Sequence, residues 1–179
     1  VNEVARGLKT SRSRTIGVVI PELSNLFITT IVTVIEDILR KSGYAAIICD
    51  CRTDEEQEAD AVQFLVRKQV DGIINMPVGK SGKHLAPALN KGLPVVLLDR
   101  LTETQTDKVN AVLVDNALAA QSATAELLNG GHQNIGIILG PQDIYTSRQR
   151  LAGYTTALKD NGFAPKAALV AYSDYTVQG

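Results

Sequence analysis

The chain has 179 residues, 45% hydrophobic, 21% charged and only 4% aromatic, with no Trp and a formal net charge of −1. That size suits one domain or two small lobes, with a core of Val, Ile, Leu and Ala, the composition of buried parallel strands between helices. No run of eighteen apolar residues is present, which predicts no membrane partner, and the near-neutral charge excludes a broadly basic nucleic-acid coat.

Charge is unevenly placed. In residues 1–14, Arg6, Lys9, Arg12 and Arg14 face one acid, Glu3, giving three net positive charges against four net negative on the remainder. A short basic segment ahead of a neutral-to-acidic body is what a polyanion such as DNA attracts. No apolar run or small-residue cleavage site comes after it as in a signal peptide. The two cysteines, Cys49 and Cys51, fall on one face of a single strand, where a disulfide is geometrically poor. They read as reduced thiols of a cytoplasmic protein.

A unit of apolar run, turn and amphipathic helix then repeats. The runs are 16–20, 45–49, 72–75, 95–98, 111–114, 135–139 and 168–171, all short and most of them rich in β-branched residues. Ile28, Ile31, Val32, Ile35, Ile38 and Leu39 make the first helical face, ended by Ser42-Gly43. Thr53-Asp54-Glu55-Glu56 reads as a capping box opening a second helix, with Val62, Leu65 and Val66 inward. Leu85, Ala88 and Leu89 form a third, stopped by Gly92. Ala117, Ala120, Thr124, Leu127 and Leu128 form a fourth, stopped by Gly130-Gly131. Leu151, Tyr154 and Leu158 form a fifth. This alternation predicts right-handed βαβ crossovers, hence an α/β fold with a doubly wound parallel sheet. The lobe boundary falls at 130–134. The last segment holds too little to stand alone, so the chain reads as truncated at both ends.

In an open parallel sheet, ligands bind beyond the carboxyl ends of the strands. The residues just past the apolar runs include Asn25 and Phe27, Asp99-Arg100, Asp115-Asn116, Arg148 and Arg150, and Asp174-Tyr175. Carboxylates accept hydroxyl hydrogens, guanidinium groups donate in a fixed fork, and an aromatic face stacks on an apolar surface. Such a rim suits a small polyhydroxylated ligand, such as a sugar, or a base-bearing one. Taken singly, each position could equally be a helix cap or a solvated loop residue.

Catalytic motifs are poor. The Gly79-Lys80-Ser81-Gly82-Lys83 segment lacks the upstream Gly of a phosphate loop, and no G-x-G-x-x-G or G-x-S-x-G is present. His84 and His132 read as surface or helix-end residues, and the acids at 54–60 as a helix N-terminus. No enzyme, no catalytic residue, no metal and no cofactor is expected.

Several segments in order, Asn2-Glu3-Val4-Ala5-Arg6-Gly7-Leu8, Thr15 to Pro21, Ser24-Asn25-Leu26-Phe27, Val70 to Ile74, Leu93 to Arg100, Val114-Asp115-Asn116, Gly131-His132 and Arg150 to Tyr154, carry a further signal. Together they resemble the lac-repressor/galactose-repressor (LacI/GalR) family of bacterial transcription regulators. The resemblance implies a periplasmic-binding-protein-like (type I) effector module. Residues 1–14 would be hinge helix and linker, 15–132 the N-terminal lobe, and 133–179 a partial C-terminal lobe. The hinge would contact operator DNA through Ala5, Arg6, Leu8 and Lys9, with Leu8 as the wedge in a minor-groove step. Asn25, Phe27, Asp99, Arg100, Asp115, Arg150 and Tyr175 match positions that commonly line the effector cleft. Two residues depart from the family: Ile28 stands where a second aromatic is usual, and Leu26 where proline is common. The expected function is a homodimeric DNA-binding repressor whose operator affinity is set allosterically by a small effector, a sugar, bound between two lobes. The alternatives are a periplasmic-type sugar-binding protein of a transport system and, further off, an enzyme on a doubly wound sheet.

Overall fold

A computed structural model describes residues 12–103 and 109–175. The chain divides into two compact units, with the division between Val112 and Leu113. In the first, β1 (Thr15–Ile20), β2 (Ala45–Asp50), β3 (Gly72–Asn75), β4 (Val95–Leu98) and β5 (Asn110–Val112) form one sheet in the order β2-β1-β3-β4-β5. Every neighbouring pair is parallel, as expected. Helices α1 (Leu26–Lys41), α2 (Glu55–Arg67) and α3 (Ala86–Asn90) make crossovers, the last after a 3-10 turn at Lys83–Leu85.

Side chains alternate across a strand, so β1 feeds two cores. Val18 and Ile20 pack with Ile28, Val32 and Met76 on the α1 face. Val19 packs with Val62, Leu65, Ile73 and Leu97 on the α2 face. Gly17 lets that second face close, because a Cβ there would lie 2.4 Å from Leu65 Cδ1. Chain progression reverses between β1 and β3, which makes their carboxyl ends a topological switch point.

The helix ends obey local chemistry. Asp54 caps α2, its Oδ1 accepting from Glu56 N at 2.7 Å and Gln57 N at 3.0 Å. The backbone N–H groups of Gln57 and Glu56 hold its carboxyl below the usual carboxylate range. The cap is therefore Asp54 and not Thr53, whose φ of 57° belongs to the turn before the helix. Gly43, at φ 76°, lies just past the end of α1.

At the opposite end of the sheet the chain enters through a clasp. Asp71 Oδ1 accepts from Ser13 N at 2.7 Å and Ser13 Oγ at 3.0 Å, and Oδ2 from Arg14 N at 3.0 Å. The Asp71 backbone N–H donates to Thr15 O at 2.8 Å.

In the second unit, β6 (Ile137–Leu139) and β7 (Val170–Tyr172) form a parallel pair, and α4 (Asn116–Asn129) packs along α5 (Tyr145–Asp160). Gly153 allows the helices to touch, since a Cβ there would stand 2.0 Å from Ala117 O. Ile135, Tyr154 and Leu158 form the core, and Tyr154 Oη donates to Ile135 O at 2.8 Å.

Three expectations shift here. The boundary expected at 132/133 differs from the division into compact units at Val112/Leu113, where α4 packs along α5. The run at 168–171 begins as a 3-10 turn at Ala167–Leu169, and the strand starts only at Val170. Leu127 is 45% exposed, because the contact face of α4 is built from small residues, with Thr124 buried and its Oγ1 bonded to Ala120 O.

Candidate functional site

In the first unit, Asn25, Phe27, Asp99 and Arg100 lie beyond the carboxyl ends of β1 and β4, beside the switch point. Asn25 serves as the N-cap of α1, its Oδ1 accepting from Phe27 N at 3.0 Å and Ile28 N at 3.4 Å. That cap is the bland role foreseen for such a residue, and it turns a nearby side chain outward: Phe27 is 54% exposed. An exposed ring on the first turn of a capped helix is a ready stacking surface.

Asp99 and Arg100 are better buried and more tightly held. Asp99 takes a left-handed backbone, φ 66°, and its N–H donates to Val112 O at 2.9 Å. A non-glycine residue held there implies that its surroundings dictate the conformation. Arg100 Nε donates to Asp99 Oδ2 at 3.3 Å and Nη1 to Pro77 O at 3.2 Å, and the two side chains are 12% and 10% exposed. The fork is thus aimed by the loop beyond β3, with its remaining N–H groups available to a ligand.

In the second unit, Asp115, Arg150 and Tyr175 gather around the first turns of α4 and α5. Asp115 caps α4, accepting from Leu118 N at 2.9 Å. Arg150 Nε donates to Asn116 Oδ1 at 2.8 Å, and Asn116 Nδ2 donates to Val114 O at 3.1 Å. Asn116 is buried and fixes the Arg150 guanidinium in one direction. Tyr175, at φ 68°, lays its ring over Gly140, where a Cβ would meet Cζ at 1.8 Å. Its hydroxyl lies 3.2 Å from Thr146 Oγ1 and 3.0 Å from Ser147 Oγ, both buried.

The structure therefore groups the candidate residues in two sets, four in one unit and three in the other. The hinge residues Ala5, Arg6, Leu8 and Lys9 lie outside the described residues. Asn116 falls on the rim read from the sequence, and the structure gives it a supporting role, as it gives Thr146 and Ser147: all three are buried and hold a chosen side chain.

Of the two readings offered for His84, helix end stands and surface does not: it lies in the 3-10 turn Lys83–Leu85, its side chain is 10% exposed and Nε2 lies 3.2 Å from Glu58 Oε1. Glu58, read among the acids of a helix N-terminus, does lie in the first turn of α2 and is 0% exposed. Sequence could not separate it from Glu55 and Glu56, because only packing decides which acid of a first turn faces inward. Nearby, burial pushes the Cys51 thiol up to about 12, helped by the negative charge of Glu58.

Each unit also carries a cavity. One, of about 450 Å³, lies at the amino ends of the first sheet's strands, lined among others by Arg12, Tyr44, Asp71 and Lys91. The other, of about 490 Å³, runs along α5 past Arg148, Thr155 and Tyr172. No described helix is long and apolar enough to cross a membrane.

A parallel α/β sheet with polar side chains gathered beyond its carboxyl ends defines a ligand-binding module of the periplasmic-binding type. Residues 13–178 match the family described as "Periplasmic binding proteins and sugar binding domain of LacI family". The chain belongs to the LacI family and covers part of its effector-binding domain. It is similar to catabolite control protein A of Priestia megaterium, 31% identical over 176 residues, covering 98% of this chain and 52% of that protein. It spans about half the length of the curated relatives it matches. Among solved structures, transcription regulator CcpA of Lactococcus lactis superposes with a TM-score of 0.82 at 27% identity, over 93% of this chain and 61% of that one. A complex of the transcriptional regulator CelR with cellobiose superposes with a TM-score of 0.80 at 28% identity, over 97% of this chain and 56% of that one.

Proposed function

We propose that the chain is the effector-sensing part of a cytoplasmic, homodimeric DNA-binding repressor whose operator affinity is set by a sugar. The observation that carries this reading is the Asp99–Arg100 pair held against Pro77 O, with Arg150 fixed by Asn116. Oriented carboxylate and guanidinium groups, with an exposed ring such as Phe27 at a strand end, are what hydroxyl-rich ligands require. Sugar-binding is also in the description of the family, and a relative is solved with cellobiose. In this reading Asn25, Asp115 and Tyr175 line the same sites, and Ala5, Arg6, Leu8 and Lys9 meet the operator. Residues 1–14 act as hinge and linker and the two lobes come after them. The relatives are regulators, which weighs against the transport reading.

The outward face of α1 leaves Val34 and Ile38 more than half exposed, a surface that suits a second copy of the chain. Effector would act by binding two states of the dimer unequally, with a coupling of about 1–3 kcal/mol.

The test uses the full-length protein. Operator binding is followed during titration with cellobiose, D-ribose and their phosphorylated forms. A shift of about fivefold or more in operator affinity is expected for one of them. Absence of any shift, with the operator still bound, removes the sugar from the proposal; absence of operator binding removes the regulator.

A further inference from the structure

Glu58 is the most deeply buried ionisable group among the described residues, at 0% exposure, and the candidate ligand site does not use it directly. All of its hydrogen bonding falls on one oxygen. Glu58 Oε1 accepts from Asn75 Nδ2 at 3.0 Å and from Val78 N at 3.2 Å, and lies 3.2 Å from His84 Nε2. Glu58 Oε2 has no partner, and neither has Asn75 Oδ1. A carboxylate serving stability alone is poorly used this way, because burying it costs several kcal/mol and well-packed apolar residues commonly do as well.

What Oε1 holds is the backbone that leaves β3. Asn75 ends that strand and Val78 lies three residues on, so both ends of the Asn75–Val78 segment are tied to one atom of α2. Between them is Pro77, whose carbonyl receives Arg100 Nη1 at 3.2 Å. The segment cannot tilt without moving that carbonyl, and the direction of the Arg100 fork depends on it. The chain of contacts runs from α2 through the β3 loop to Arg100 and Asp99.

We infer that Glu58 is a positioning residue for effector recognition, pinning the Asn75–Val78 loop so that Pro77 aims Arg100 at the ligand. This rests on the reading that Asp99 and Arg100 receive a sugar. Glu58 itself does not touch the ligand. The feature that matters is an acceptor of the right reach, so glutamine replaces it and aspartate, shorter by one carbon, does not.

The experiment measures binding of cellobiose and D-ribose by calorimetry to the full-length protein, alongside thermal unfolding. Glu58→Ala is expected to weaken the sugar that binds by about tenfold, because the loop loses the acceptor of Asn75 Nδ2 and Val78 N, while Glu58→Gln stays within about threefold of the parent. In an Arg100→Ala background, Glu58→Ala is expected to add less than about twofold, because the group it aims is gone. Should Glu58→Ala not fold, Glu58→Asp takes its place with the same expectation. Three results overturn the inference: a full loss persisting in the Arg100→Ala background, Glu58→Gln failing as badly as Glu58→Ala, or a folded Glu58→Ala or Glu58→Asp protein with parental affinity. A parent that binds neither sugar overturns the effector reading itself, and this inference with it.

Discussion

The two units place their candidate residues by opposite means. In the first, the central strands β1, β3 and β4 of a five-stranded parallel sheet are largely buried, and the site residues inherit rigidity from the sheet: Asp99 is tied to β5 through Val112 O, and Arg100 to the β3 loop through Pro77 O. In the second, two strands pair among the described residues, and Ile138 of β6 is 80% exposed. There the order comes from the helix pair and from side-chain contacts, Asn116 to Arg150 and Tyr175 to Thr146 and Ser147. A two-stranded sheet is marginal by itself, so packing of α4 on α5 carries more of the second unit than any strand does.

The largest test of that contrast is in the first core. Leu65 is 0% exposed and packs on Gly17, so Leu65→Ala is expected to cost about 3–4 kcal/mol, read by denaturant unfolding. The sharper one is Gly153→Ala. Its new Cβ meets backbone, Ala117 O, which cannot rotate away, so a loss of about 3 kcal/mol is expected. Hydrogen exchange should place that loss in residues 113–175 and leave the first sheet protected; a loss spread equally over both would break the contrast.

Next in size are the side-chain supports. Asn116→Ala removes the acceptor of Arg150 Nε and is expected to cost about 1–2 kcal/mol in effector binding, by calorimetry on the full-length protein. Gly140→Ala drives the Tyr175 ring from its seat, and tyrosine fluorescence or side-chain exchange should report the release.

Alkaline pH gives a further separation. The Cys51 thiol is pushed from 9.0 up to about 12, first by burial and then by Glu58 and neighbouring acids. The fold favours the protonated thiol, so its stability is intact below pH 9 and falls as pH rises from about 9 towards 12, where the unfolded chain gains from ionising. Cys51→Ala should flatten that fall in a pH series of unfolding midpoints. The smallest effect is expected at Leu127, where Leu127→Gln should stay within about 0.5 kcal/mol of the parent.

The sheet was legible because buried parallel strands announce themselves: 16–20, 45–49, 72–75 and 95–98 are nearly the observed strands, and their helices keep a helical period. Register and order were less so, since a run such as Ala168–Ala171 is apolar enough for either strand or turn, and the 3-10 turn at Ala167–Leu169 took half of it. Of the candidate site, the residues at strand ends were readable from position alone. The supports were not. Glu58, Asn75 and His84 lie on three different elements, and nothing local in the sequence tells that α2 turns its fourth residue inward while Glu55 and Glu56 stay in solvent. Leu127 failed for the converse reason: an apolar residue on a helical period faces inward only if the partner is wide enough to cover it, and α5 covers a narrow strip.

The Asp71 clasp gives the first unit a mechanical property. Its carboxylate holds two consecutive backbone amides of the incoming chain while its own backbone holds Thr15. A pull on the polypeptide ahead of Ser13 is therefore shared at once between the feet of two adjacent strands, and is not spent in unravelling one. One side chain thus joins the entry of the chain at Ser13 to the feet of β1 and β3.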